Sequence, residues 1–327
     1  MRVKSYSEAT RVILASTFLA TLLLFHGILS ARTQAGSPAR GQEIIRVRIG
    51  SGPDDLGVTT PEEASPEGPM SFVVGPDEEI YVLDQINSRI QVFSDGKRVR
   101  TIPIPGQTFS DLELMPDGRL ALMDNLVRKE IVLVNQKGQV QWTIPLARAD
   151  VPDPAAISGI YYRAEGSWPG LWAELENAFI LLAGPDGRAG EETRFMPGLL
   201  TRNGRRLLKA EIVGEKRLLV RRSDEDLRTW AGHEIVFNLP LGIVYGLWED
   251  ADGNLYLAAN IFDEKNEANE AVVLGPDGKE RGRITMALSS GSHEVLKPVR
   301  VAPGGFVYQL VIEPDDNSVV ILKYQLR

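Results

Sequence analysis

Residues 72–102 read Phe-Val-Val-Gly-Pro-Asp-Glu-Glu-Ile-Tyr-Val-Leu-Asp-Gln-Ile-Asn-Ser-Arg-Ile-Gln-Val-Phe-Ser-Asp-Gly-Lys-Arg-Val-Arg-Thr-Ile. Three short apolar runs are separated by turn signals, and a fourth run follows Asp95-Gly96. Period-two alternation broken by Pro-Asp and Asp-Gly pairs specifies four antiparallel strands joined as a meander. Asp-Gly supplies the positive φ that tight hairpin turns need, and Pro76 lies in a turn, where no ladder N–H is required.

The pattern returns along the chain. Leu112-Glu113-Leu114-Met115-Pro116-Asp117-Gly118 leads into Leu120–Asp124, and Ile131–Val134 precedes Lys137-Gly138. Asp84 and Asp124 are 40 residues apart, the length of one blade of a β-propeller. A third copy runs from Leu247 through Asp252-Gly253 and Leu255–Ala258 to Pro276-Asp277-Gly278. A fourth comprises Val299–Gly305, Phe306–Tyr308 and Val319–Leu322. From Gly118 to Gly253 is 135 residues, or three periods of 45. The degenerate stretch 155–240 therefore has room for two irregular blades. It offers Phe179–Leu182, and a hairpin of 207–213 and 217–221 around Gly214-Glu215.

The reading is an all-β, six-bladed propeller of four-stranded blades over residues 42–327. The last blade has only three strands before Arg327, so residues 43–49 are expected to supply its outer strand. That pairing would close the ring and remove exposed edges. A propeller is one domain despite its length, because each blade packs on its neighbours.

The best repeat, with Pro76-Asp77, Ile80–Asp84, Asn87-x-Arg89 and Asp95-Gly96, resembles the NHL repeat. In NHL-like propellers the loops between the second and third strands of each blade line one end of the central channel. The resemblance places residues 84–89, 124–129, 260–269 and 313–318 there. They carry Asp84, Asn87, Arg89, Asp124, Asn125, Arg128, Asn260, Asp263 and Glu264. A ring of such side chains would hold a cation or a polar ligand. The plainer reading is that each Asp caps its own turn and Arg89 pairs with Asp84. The acidic stretch 260–270 reads as a long solvated loop. It lacks the spacing and central Gly of an EF-hand. Of the aromatic residues 161–172, Tyr161 and Trp172 suit strand positions. Trp168, beside Pro169-Gly170, is the exposed candidate for stacking on a sugar or a partner. The basic run from Arg202 to Arg222 is expected on outer, solvated positions.

Arg2, Lys4 and Arg11 precede an uncharged run over residues 12–31, and Thr33-Gln34-Ala35 resembles a cleavage site. Residues 1–35 are expected to be a signal peptide, or an N-terminal anchor if uncleaved, with 36–41 as a linker. The propeller is then periplasmic, in the cell envelope or extracellular. Without cysteine there is no lipid-anchoring thiol, disulfide or thiol catalysis. Loss of residues 1–35 leaves 32 basic against 43 acidic residues. That balance disfavours nucleic acid and anionic lipid as partners, leaving membrane contact to the N-terminal segment alone.

No Gly-x-Ser-x-Gly elbow is present. The mature chain has only His233 and His293, too few for the zinc site of a propeller amidating lyase, which NHL-like enzymes resemble. The sequence therefore points to a non-catalytic module that binds a protein, peptide or glycan, with no cofactor required. Two alternatives stand beside it. One is a lactonase-type hydrolase with Ca2+ held by residues such as Asp84, Asp124 and Asn260. The other is a structural subunit of an envelope assembly.

Overall fold

The apolar runs become strands, and the Pro-Asp and Asp-Gly pairs become the turns between them. The computed structural model describes Thr33–Gln34 and residues 41–327, except 61, 63–65, 149–150, 152, 176–177, 190–193, 291–294 and 327. The expected export segment and linker lie almost wholly outside the described residues. Among the described residues no helix is long and apolar enough to cross a membrane.

Six antiparallel blades follow one another. The first holds β2 (Phe72–Val74), β3 (Ile80–Asp84), β4 (Arg89–Ser94) and β5 (Lys97–Pro103). The second holds β6 (Asp111–Leu114), β7 (Leu120–Asp124), β8 (Glu130–Val134) and β9 (Val140–Pro145). The third holds β10 (Ile157–Arg163), β11 (Gly170–Leu175), β12 (Ala178–Ala183) and β13 (Arg194–Met196). The fourth holds β14 (Leu199–Leu200), β15 (Leu207–Gly214), β16 (Arg217–Ser223) and β17 (Trp230–Val236). The degenerate stretch thus forms the two blades expected of it. The fifth holds β18 (Leu241–Glu249), β19 (Leu255–Phe262), β20 (Asn266–Leu274) and β21 (Glu280–Met286). The sixth holds β22 (Val299–Val301), β23 (Phe306–Glu313) and β24 (Ser318–Gln325).

β1 (Gln42–Arg48) completes the sixth blade. It runs antiparallel to β24, with Gln42 opposite Lys323 and Arg48 opposite Ser318. Ile45 and Val47 enter one apolar cluster with Ile321, Tyr308, Phe72 and Ile80, so the closing strand also seals the seam between the last and first blades. Elsewhere, too, the core lies between blades. Leu83 and Val92 of the first blade pack with Leu112, Leu122 and Val132 of the second. Each fully buried aliphatic side chain there contributes about 1.5–3 kcal/mol relative to exposure.

Neighbouring blades meet along the axis through their first strands, β2 against β6 and β6 against β10. Every blade starts at the axis and runs outward, which gives the molecule two distinct faces. One face carries the turns between second and third strands, such as 125–129. The opposite face carries the Asp-Gly turns, where Gly96 (φ 74°) and Gly278 (φ 77°) adopt the left-handed region.

One expectation is corrected. Residues 260–270 are not a long loop. β19 runs to Phe262 and β20 resumes at Asn266, with Asn260 directly opposite Asn269 in the ladder. Both asparagines are buried, and Asn260 Nδ2 donates to Asn269 Oδ1 at 3.1 Å. Polar side chains that satisfy each other inside a sheet read as loop in a hydrophobicity pattern. A second correction concerns Arg222. It is not an outer solvated residue, because its side chain is 13% exposed and bridges to the fifth blade at Gly253 O (3.0 Å) and Glu249 (3.7 Å).

Candidate functional site: the turn face and the channel cluster

The sequence-selected side chains mostly hold their own turns in shape. Asp84 is fully buried at the end of β3. Its carboxylate pairs with Arg89 Nε at 2.6 Å and accepts from Gly57 N at 2.8 Å and Asn87 Nδ2 at 3.0 Å. Asn87 also donates to Gly50 O, so these three residues staple the strap of residues 50–57 to the first blade. Asp124, at the matching position of the second blade, accepts from Val127 N (2.9 Å), Arg128 N (3.1 Å) and the Thr108 hydroxyl. Asn125 takes the Ser110 hydroxyl at 2.8 Å and donates to Ile157 O in the third blade. Arg128 reaches Pro105 O and Glu130. Asp263 caps the β19–β20 turn, and the N–H groups of Lys265 and Asn266 hold its carboxyl below the usual range. Trp168 is half-buried, with the Arg194 guanidinium 4.6 Å from its ring centroid.

These residues therefore sit in separate turns, each with local partners. No three His, Asp or Glu side chains among the described residues are grouped so as to hold a metal ion. Most of what these turns expose is charged, as at Glu215, Lys216, Glu264, Lys265, Asp315 and Asp316, and the second blade is the exception. Leu126 and Val127, on the turn that Asp124 organises, are 62% and 68% exposed. Ile212 and Val213, near the end of β15 just before the corresponding turn of the fourth blade, are exposed as well.

The axis holds a second constellation, which the sequence reading missed. Asp111, the first residue of β6, is fully buried. Its Oδ1 accepts from the Ser71 hydroxyl (2.6 Å), Arg300 Nη2 (3.0 Å) and Leu112 N (2.9 Å). Its Oδ2 accepts from Ile160 N at 2.9 Å and lies 3.6 Å from Lys297 Nζ. One carboxylate thereby ties the first, second, third and sixth blades together at the axis. Arg300 adds Phe72 O and Leu112 O, and stands 3.7 Å from Glu113.

Lys297 is the unusual member. Its side chain is 3% exposed and its Nζ makes no hydrogen bond. The ammonium instead sits 3.5 Å from the Tyr161 ring centroid, a cation–π geometry. Burial pushes its pKa down to about 8, and Asp111 opposes that shift. Burial likewise raises the carboxyl of Glu113 and the Tyr161 phenol, which donates to Glu174 at 2.9 Å. Gly159 makes the space for Lys297: a Cβ there would land on Nζ and Cε. The sequence did carry a faint signal. Glu113 and Arg300 are charges in the middle of short apolar runs, Leu112-Glu113-Leu114 and Val299-Arg300-Val301, both in first strands. A charge at the axis of a propeller needs a partner from another blade.

No protein-family model matches the chain, and no curated protein matches it. Solved structures with a similar fold include virginiamycin B lyase from Staphylococcus aureus, 15% identical with a TM-score of 0.42, covering 80% of this chain and 85% of that one. A putative gluconolactonase is 15% identical with a TM-score of 0.45, covering 88% of this chain and 93% of that one. A gluconolactonase from Xanthomonas campestris is 13% identical with a TM-score of 0.44, covering 90% and 99%. Likeness at this level does not extend to activity.

Proposed function

We propose that this chain is an exported, non-catalytic binding module that engages a protein or peptide through its turn face. The observation that carries the reading is the exposed Leu126-Val127 pair, held on a turn whose backbone Asp124 fixes. A rigid turn that presents aliphatic side chains loses little conformational freedom on docking. Ile212 and Val213 extend the same character to the fourth blade. The Asp84, Asp124 and Asp263 carboxylates on this face are occupied in shaping their turns, and an aliphatic pair at the turn tip favours a protein or peptide over a glycan as the ligand. Export is supported by the basic-then-apolar N-terminus.

The test is photo-crosslinking from position 126 in the producing cell, compared with a probe on the opposite face at Lys137. A defined protein captured from position 126 only, and lost in Val127→Asp, is the expected result. Equal capture from both positions would sink the reading. So would one retained equivalent of calcium together with lactone hydrolysis that Asp84→Ala abolishes. N-terminal sequencing of the exported protein should begin at Gly36; recovery of the chain in the cytoplasm would refute export.

A further inference from the structure

The fourth blade lacks half of its first strand. Only Pro197 and Gly198 separate β13 from β14, so the chain joins this blade partway along β15 rather than at its Gly214 end. β14 pairs with Leu207 and Leu208 alone, whereas β15 runs on to Gly214. On its other side β15 is paired with β16 throughout, as far as Gly214 opposite Arg217. In the third and fifth blades the first strand pairs along most of the second. Where the second strand of the sixth blade outruns its first, Ile312 N donates to Ser289 Oγ at 3.3 Å and the Ile312 side chain is buried. Among the described residues no strand pairs with the axis side of residues 209–214.

The direction of the neighbouring hydrogen bonds identifies the free groups. Thr201 N donates to Arg206 O at 2.9 Å, and Leu207 N donates the other way, to Ser223 Oγ of β16 at 2.8 Å. Backbone direction alternates along a strand, so Ala210 and Ile212, like Arg206, turn their N–H and C=O groups towards the axis. None of these four groups has a partner among the described residues. Aliphatic side chains flank them. Leu208 stands opposite Arg222, which reaches Gly253 O in the fifth blade. Ile212 lies on that same side of the sheet, 57% exposed, and faces β18. There a bulge between Leu241 and Val244 leaves Ile243 61% exposed. The nearby charges are matched within the blade, Glu211 with Arg221 at 3.1 Å and Arg217 with Glu234 at 3.6 Å. Free backbone groups with apolar flanks and paired charges complement one chemistry, an extended chain with uncharged aliphatic side chains at alternate positions.

We propose that the axis-side edge of β15, over residues 209–213, takes up an extended, uncharged peptide segment of a partner protein as the missing half-strand of the fourth blade. The segment's backbone pairs with Ala210 and Ile212, and one of its side chains enters between Ile212 and Ile243. The edge opens on the same face as the Leu126-Val127 turn, and it stands whether or not that turn docks a partner.

The test pans random dodecapeptides displayed on phage against the purified protein and follows a selected peptide by hydrogen exchange. An uncharged peptide with alternating aliphatic residues is expected, and it should slow exchange at Ala210 and Ile212. Glu211, whose N–H lies in the ladder with β16, should be protected with or without it. N-methylating one alternate set of the peptide's amides should abolish binding, and the other set should be tolerated. Ile212→Pro removes an N–H that the fold does not use, so it should weaken binding about tenfold while the melting temperature holds. Glu211→Pro should lower the melting temperature. Ile243→Asp, at a solvated position, should also weaken binding, and it carries the decision if Ile212→Pro does not fold. Val127→Asp should leave binding unchanged. Failure to select any peptide, or binding that survives both Ile212→Pro and Ile243→Asp, overturns the edge. Loss of binding in Val127→Asp overturns it too, in favour of the second blade. Concentration-dependent dimers that Ile212→Pro abolishes would overturn the partner assignment in favour of a second copy of this chain.

Discussion

Asp84 and Asp111 are both fully buried carboxylates, yet they tie together different things. Asp84 serves one turn and the strap beside it, through Arg89, Asn87 and Gly57, its furthest hydrogen-bonding partner among these lying 27 residues away. Asp111 joins four blades, and its Arg300 partner is 189 residues away. The rim uses acid groups to finish local hydrogen bonding that the backbone leaves open. The axis uses them to fix how blades sit against one another. A carboxylate of the first kind is a matter of local order, and one of the second kind is a matter of the whole ring.

The largest effect should come from Asp111→Asn. It leaves Lys297 buried without its nearest counter-charge and Arg300 with Glu113 alone, a loss of about 3–5 kcal/mol. Urea denaturation would measure it, and a loss under about 1 kcal/mol would remove the distinction between axis and rim.

The next effect is one of pH. Burial lowers the Lys297 amine to about 8 from 10.5. Between about pH 8 and 10.5 the unfolded chain holds a proton that the folded chain has released. Stability should therefore rise with pH through that window, by an amount on the order of 1–3 kcal/mol. Below pH 8 both states are protonated and this contribution is flat. The comparison is wild type against Lys297→Met, in which the rise should disappear while the tyrosine titrations remain. Identical pH profiles for the two proteins would show that the amine stays charged at the axis.

Gly159→Ala should cost about 1–3 kcal/mol, because its Cβ needs the volume that Lys297 occupies. Shortening the lysine should relieve it: Gly159→Ala with Lys297→Ala should be less destabilised than the sum of the single changes. Strict additivity would mean that the strain arises elsewhere.

The smallest global effect is expected at the rim. Asp124→Ala frees the N–H groups of Val127 and Arg128 at a cost of about 1–2 kcal/mol. Hydrogen exchange should quicken in residues 125–129 and remain unchanged at the axis. Faster exchange at Ile160 would show that the two regions are coupled after all.

The same division governs what the chain disclosed before its structure was known. Alternating runs and Asp-Gly turns located most blades, because strands and turns depend on neighbours in sequence. The closing strand was legible because an incomplete blade at one end and a spare strand at the other have one economical solution. The caps at Asp84 and Asp124 were foreseen as the plainer reading for the same local reason. Asn260 and Asn269 misled, because two polar residues that satisfy each other in a ladder leave no apolar trace. The axis was nearly silent. Arg300 and Glu113 are charges inside short apolar runs, a signal the sequence reading passed over, and nothing nearby in sequence named Asp111, Lys297 or Gly159 as their company. Pairings between distant segments are specified only once the blades are arranged in space.

The closing strand has one more consequence, for synthesis. Arg46 and Ser318, which meet in the completed sixth blade, are 272 residues apart. At 5–20 residues per second the first strand waits roughly 15–55 s for its partner to be made. Through that interval Ile45 and Val47 have no sheet to enter, and the ring remains open at both ends. A nascent chain stalled anywhere before β24 is therefore a set of stacked blades with two unpaired flanks, the form most exposed to chaperones, proteases and other nascent copies of itself.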